Sequence, residues 1–158
     1  MRNMLLTIVI GVLCINCALH KKVAPEPKYQ MGWYFEVEKN EASGLVKDSF
    51  LDKYYHIETA PILTITDFKS MKIEKPNWGG QERVIIGVTL NEDVKEKWGE
   101  LTKRMSKTNE KALFVYKNEV IANVSAFQRI DNGYVMIAND DLTEKMLNKI
   151  ITTINQNR

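Results

Sequence analysis

Apolar and polar positions change period sharply near residue 91. Over residues 84–90, Val84, Ile86, Val88 and Leu90 alternate with Ile85, Gly87 and Thr89, the period of a pleated strand. After Asn91 the spacing becomes helical: Val94, Trp98, Leu101 and Met105 form one apolar stripe among charged residues. Asn91 offers a side-chain oxygen to the free amides of a helix start, and Glu92 and Asp93 place negative charge at the positive end of its dipole. The stripe must be buried, and the preceding strand is the nearest surface. The same two periods recur downstream. Residues 112–116 and 120–127 predict two strands joined by a tight turn at Lys117-Asn118, since Asn tolerates positive φ. Asp131-Asn132-Gly133 predicts a second turn, and residues 134–138 a short strand. Leu142, Leu147, Ile150, Ile151 and Ile154 give a final helix its stripe. Asp140 or Asp141 caps it, the latter with Glu144 three residues on as in a capping box.

The first half is less regular. Residues 32–38 alternate well, with Trp33, Phe35 and Val37 on one side and Tyr34 and Glu36 on the other. Residues 39–48 are polar around Ser43-Gly44 and predict a loop, and residues 50–57 a second strand at a sheet edge. Pro61 opens a segment in which Ile62, Thr64 and Thr66 alternate with Leu63 and Ile65. Asp67 or Ser70 then starts a short turn, and Met71 and Ile73 a brief strand. Residues 75–81, with Pro76, Trp78, Gly79 and Gly80, predict a loop. Close hairpins require antiparallel pairing, so the expected class is α+β: an antiparallel sheet with two helices packed on one face.

The N-terminus carries a different pattern. Arg2 precedes a mostly apolar run over residues 4–19, followed by His20, Lys21 and Lys22. The run is shorter than the roughly 20 residues of a membrane span and matches a secretory signal. Cys14-Ile15-Asn16-Cys17 is similar to a bacterial lipobox, with Cys17 as the lipidated residue; an ordinary or uncleaved signal is the alternative. Residues 1–17 are thus signal. Residues 18–30, with Pro25, Pro27 and no apolar period, are a tether, about a dozen residues spanning roughly 40 Å if extended. Residues 31–158 form one domain, which the apolar fraction of 44% can furnish with a core. The expected location is the bacterial envelope, facing away from the cytoplasm, with an N-terminal lipid anchor.

Candidate chemistry is sparse. Both cysteines, Cys14 and Cys17, lie in the signal, so the domain has no disulfide and no thiol nucleophile. His56 is its one histidine and sits in a strand-like context, while Glu92-Asp93 and Asp140-Asp141 are explained as helix-start charges. Trp78-Gly79-Gly80 lacks the strand-to-helix setting of a phosphate loop, and nothing has the spacing of zinc or calcium ligands. No cofactor and no catalysis are expected. The formal charge of +2, with lysines interleaved among glutamates on the first helix, excludes a nucleic-acid surface. Aromatic residues remain. Trp33 and Trp98 belong to the core, and Trp78 and Tyr34 are the candidates for contact with an extended peptide.

Residues 84–154 resemble the head of the first periplasmic domain of SecD and SecDF, membrane subunits that assist protein export. The matching pieces are residues 84–90, Trp98 to Leu101 with Thr102, residues 112–116, the turn at Lys117-Asn118, Glu119-Val120-Ile121, and Gly133 with residues 135–138 before the last helix. The head-like part is residues 83–158. The resemblance implies a domain that engages exported or unfolded polypeptide outside the membrane. The family's proton path runs through membrane helices, so a head alone binds or scaffolds without proton-coupled transport. A structural subunit of an envelope complex is the alternative reading, and a small hydrolase built on His56 a more remote one.

Overall fold

The computed structural model describes residues 28–158. The signal, its end at Cys14 and Cys17, and the tether up to residue 27 lie outside the described residues. The elements are β1 (Gly32–Phe35), β2 (Gly44–Asp48), β3 (Tyr54–Ile57), β4 (Leu63–Thr64), a 3-10 turn (Ile65–Asp67), β5 (Phe68–Glu74), β6 (Asn77–Trp78), β7 (Gln81–Glu82), β8 (Ile85–Leu90), α1 (Glu92–Thr108), β9 (Ala112–Tyr116), β10 (Glu119–Val124), β11 (Tyr134–Ile137) and α2 (Glu144–Gln156).

The largest sheet runs β3-β2-β10-β9-β1-β4, and it curls until β3 meets the end of β1. Val37 N–H donates to the His56 carbonyl at 2.9 Å and Glu58 N–H to that of Phe35 at 3.1 Å, with Glu36 bridged to Ile57. Strands β3, β2, β10, β9 and β1 therefore close a small barrel. Its interior is filled by Tyr29, Tyr34, Val46, Tyr55, Ile57, Leu113, Val115 and Val120. The opposite side chains of the same strands, Trp33, Phe35, Ala112, Phe114 and Ala122, face a second core. This two-sided burial explains why residues 112–115 are apolar throughout. A three-stranded antiparallel sheet, β11-β8-β5, contributes Phe68, Ile86, Val88, Leu90, Val135 and Ile137 to that second core. Both helices pack into it, α1 through Trp98 and Met105 and α2 through Leu147, Ile150 and Ile154. The Phe114 ring sits 5.2 Å from Trp33 and 6.3 Å from Phe68, so one side chain joins barrel to layer. The fold is α+β, as the periodicities predict.

Several local expectations are corrected. Residues 44–48, placed in a loop by their polarity, form β2. Val46 is their one buried apolar side chain, next to Gly44, whose missing Cβ leaves room for the Tyr29 hydroxyl, 2.5 Å from where that carbon would stand. Strand β2 also pairs parallel with β10, against the all-antiparallel expectation, because the barrel closes by a crossover and not by a hairpin. Residues 77–82 form a small hairpin around Gly79 and Gly80, with φ of 61° and 86°. Asn91 occupies the cap position of α1, but its side chain makes no capping bond; the amide donates to the Thr66 carbonyl at 2.9 Å. Helix α2 is capped by Thr143, whose hydroxyl accepts from Met146 N–H at 3.4 Å, and not by Asp140 or Asp141. The Lys117-Asn118 turn has positive φ at both residues, as a two-residue hairpin requires.

Candidate functional site

The two aromatic residues singled out for peptide contact lie apart. Tyr34 is 1% exposed inside the barrel, where its hydroxyl donates to the Gln30 carbonyl at 2.9 Å and burial raises its pKa. It offers no surface to a partner. Trp78 is 41% exposed on the β6–β7 hairpin, with the Arg83 guanidinium 5.9 Å from its ring centre. Trp33 and Trp98 are core residues, both fully buried. His56 holds the Ser43 hydroxyl at 3.0 Å through Nδ1 and lines neither of the two recesses described next.

Those recesses lie beside β11 and beside the segment that follows it. One, of about 380 Å³, has apolar walls from Val124, Ile130, Val135 and Met136. The other, of about 820 Å³, has Val84, Ile85 and Leu142 among its lining and Glu82, Asp140 and Asp141 around them. Neighbouring residues line the two: Val124 and Met136 the first, Asn123 and Ala138, just past the end of β11, the second. Asn139 fastens the two sheets between them, donating to the Ile121 carbonyl at 3.2 Å. Arg83, which lines the second recess, is the residue whose guanidinium lies by the Trp78 ring. Phe127, which is 96% exposed, is the chain neighbour of Gln128, which lines the first recess.

Phe127 was not found by periodicity, which places it in a strand. Strand β10 stops at Val124, and residues 125–133 leave as a loop held against α1. Thr102 is the hinge of that contact: its hydroxyl donates within α1 to the Trp98 and Gly99 carbonyls and accepts Ile130 N–H at 2.9 Å. Arg129 lies over Gly99, where a Cβ would stand 2.8 Å from Asp131 Oδ1, and binds Glu96 at 2.8 Å together with Glu100 and Asp131. These bonds, the one to Glu96 first, raise the pKa of Arg129. Ala126, buried beside Phe127, anchors the loop on its other side. A fixed loop thus holds a large apolar side chain in water.

The sheet edges are guarded. On β11 the Tyr134 N–H donates to Asn132 Oδ1 at 3.0 Å, and its carbonyl accepts from the Trp98 indole at 3.2 Å. Strand β5, the opposite edge, carries Lys69, Lys72 and Glu74 and a register shift between Phe68 and Ser70. Charge and irregularity of this kind oppose pairing with an added strand. Contact with a partner is therefore left to side chains. On the open face of the sheet, Tyr134 donates to Glu74 Oε2 at 2.8 Å across Gly87. Burial and this bond push the Tyr134 pKa up to about 12, while the same bond lowers that of Glu74.

Among the described residues no group of His, Cys, Asp and Glu is set to hold a metal ion, and no helix is long and apolar enough to cross a membrane. No protein-family model matches the chain, and no curated protein matches it in sequence. Solved structures do share its architecture. The crystal structure of SecDF in a super-membrane-facing form matches with a TM-score of 0.57 at 15% identity, covering 80% of this chain and 19% of that one. The structure of SecDF described as a membrane component that enhances protein export matches with a TM-score of 0.55 at 16% identity, covering 80% of this chain and 63% of that one. The chain thus spans less than two thirds of either, and the likeness shows a SecDF-like fold.

Proposed function

We propose that this protein is an extracytoplasmic, membrane-tethered binding domain of the protein-export machinery, which engages exported or unfolded polypeptide at the two recesses beside and after β11, acting together as one trough. The reading rests on one observation above others. Two exposed aromatic residues, Trp78 and Phe127, stand next to residues that line two recesses, Arg83 and Gln128, on a domain of SecDF-like fold. Truncating aromatic anchors of this type costs much of the affinity at protein interfaces. The lipobox-like sequence ending at Cys17 supports a lipid anchor, and the proline-containing tether supports a domain held off the bilayer. Binding needs no catalytic group, and the proposed role is neither enzymatic nor proton-coupled. The test is fluorescence anisotropy of a labelled, permanently unfolded polypeptide titrated with the full chain. Replacing both Trp78 and Phe127 with Ala weakens binding at least about tenfold in this reading. Both side chains are exposed, so the fold survives. Unchanged affinity rejects the trough.

A second reading, a structural subunit of an envelope complex, draws on a separate surface. Leu45 and Tyr54 are at least half exposed on the outer face of the β2–β3 hairpin, with Leu51 at its tip. A stoichiometric partner lost when Leu45 and Tyr54 become Ser, and retained in the Trp78/Phe127 double variant, favours this reading over the first.

A further inference from the structure

The outer face of the β2–β3 hairpin lies where the N-terminal segment enters the domain. What that face meets follows from the membrane-tethered reading above, on which this step rests. Tyr29 is buried in the barrel, where its N–H donates to Asn118 Oδ1 at 2.9 Å and its hydroxyl lies against Gly44. Gly44 opens β2, and the next residue is Leu45, 50% exposed. Leu45 pairs with His56 and Lys47 with Tyr54. Leu45 and Tyr54 are therefore diagonal neighbours on one face, within reach of each other's side chains, with Lys47 beside them. Leu51, in the turn that joins the two strands, is 57% exposed. Charges around this face nearly balance. Lys53 lies 4.0 Å over the Tyr55 ring, Asp52 stands 4.0 Å from Lys47, and Glu119 accepts from the Ser49 hydroxyl at 2.7 Å. Its three large exposed apolar side chains therefore set its character.

Reach decides the occupant. From Cys17 to Lys28 the chain spans at most about 40 Å in any conformation. A compact domain of this length is about 35 Å across. A lipid on Cys17 thus keeps Lys28 within roughly one domain width of the bilayer. The surface beside Tyr29 is then the part of the domain held nearest to lipid, and Leu45 belongs to it. We infer that Leu45, Leu51 and Tyr54 dock on the surface of the bilayer that holds the anchor. The tether sets the largest stand-off, and the hairpin sets the face that touches when the domain comes down. Three side chains hold a free protein on lipid only weakly, but an anchor makes the contact intramolecular, so a weak contact suffices. Tyrosine suits the boundary between acyl chains and water, and Lys47 can lay its apolar stem along the same face with its charge at the headgroups.

The experiment uses the full chain, extracted in detergent and reconstituted into phosphatidylethanolamine and phosphatidylglycerol vesicles with brominated acyl chains. An environment-sensitive fluorescent amino acid is placed singly at position 51, 54 or 146. Met146 is the control: it is 39% exposed on α2, which packs into the second core on the other side of β1 and β9 from the barrel interior and the hairpin. Bromine quenching is expected to be at least about twofold stronger at positions 51 and 54 than at 146. Leu45→Glu brings quenching at position 54 down to that of 146 while the chain stays on the vesicles through its anchor. Leu45 is half exposed, so this variant keeps the fold. Equal quenching at all three positions overturns the inference, and so does unchanged quenching in Leu45→Glu. A blue shift at 51 and 54 without quenching also overturns it, in favour of a protein on that face, a second copy included. If a carbonate wash strips the chain from the vesicles, the membrane-tethered reading fails and the inference falls with it. If the chain is retained and positions 51 and 54 are not quenched, the docking alone is wrong.

Discussion

The barrel and the three-stranded layer share one core but treat their edges in opposite ways. In the barrel, β1 turns from β4 to β3 over Glu36 and Val37, and the main chain closes a ring. Closure removes the edges, and both faces of β1 and β9 are buried. The layer β11-β8-β5 stays open, and its edges are blunted one at a time by Asn132, the Trp98 indole, lysines and a bulge. The interior of this ring is filled by its own side chains. An open layer with a guarded edge has recesses beside it without inviting another strand. On the function proposed above, the barrel supplies rigidity and the layer contact.

The sharpest way to break that division is to cut the joint between the two. Phe114→Ala removes the ring lying between Trp33 and Phe68, and about 3–5 kcal/mol of unfolding free energy should be lost in urea titrations. A loss confined to below 1 kcal/mol means that barrel and layer do not share a core. Next in size are the helix caps on the layer side. Thr143→Ala should cost about 1 kcal/mol, whereas Asp141→Ala should stay within about 0.5 kcal/mol, by thermal melting.

Inside the barrel two tyrosines should respond differently. Tyr34→Phe loses a bond to the Gln30 carbonyl and about 1 kcal/mol. The Tyr29 hydroxyl is buried without a partner among the described residues, so Tyr29→Phe is neutral or stabilising. The smallest effect concerns pH on the open sheet. The Tyr134 pKa is raised in the folded state from its ordinary 10.0 to about 12. Its contribution is complete below pH 10 and is lost as pH rises through about 12. Glu74 is depressed, so its contribution is present above its ordinary value and lost as pH falls below it. Tyr134→Phe should flatten the alkaline part of the stability profile and leave the barrel variants unaffected.

What the sequence discloses follows locality. Strand β8, helices α1 and α2 and the β9–β10 hairpin are legible because their apolar period, turn residues and partners lie close together in the chain. Strand β2 is not, because only Val46 of its five residues is a buried apolar side chain and its stabilising neighbours, Tyr29 and Val120, are remote. The barrel is equally hidden, since closure depends on Glu36 meeting Ile57. Trp78 is recognisable as exposed from its Gly-rich setting. Phe127 is not, because its exposure is decided by Arg129 and Thr102 holding the loop to α1. Tyr34 misleads for a related reason: alternation places it opposite Trp33, but in a closed barrel the opposite face is an interior.

The central claim is that polypeptide is met by the layer and not by the barrel. Photocrosslinking tests it most directly, with a benzophenone amino acid placed singly at Trp78, Phe127 or Tyr54 of the full chain and a defined, carbamidomethylated unfolded polypeptide as client. Tyr54 is the control, 56% exposed on the barrel's outer face. The account predicts crosslinks from positions 78 and 127 and none above background from position 54. Equal capture from all three, or capture from position 54 alone, contradicts it.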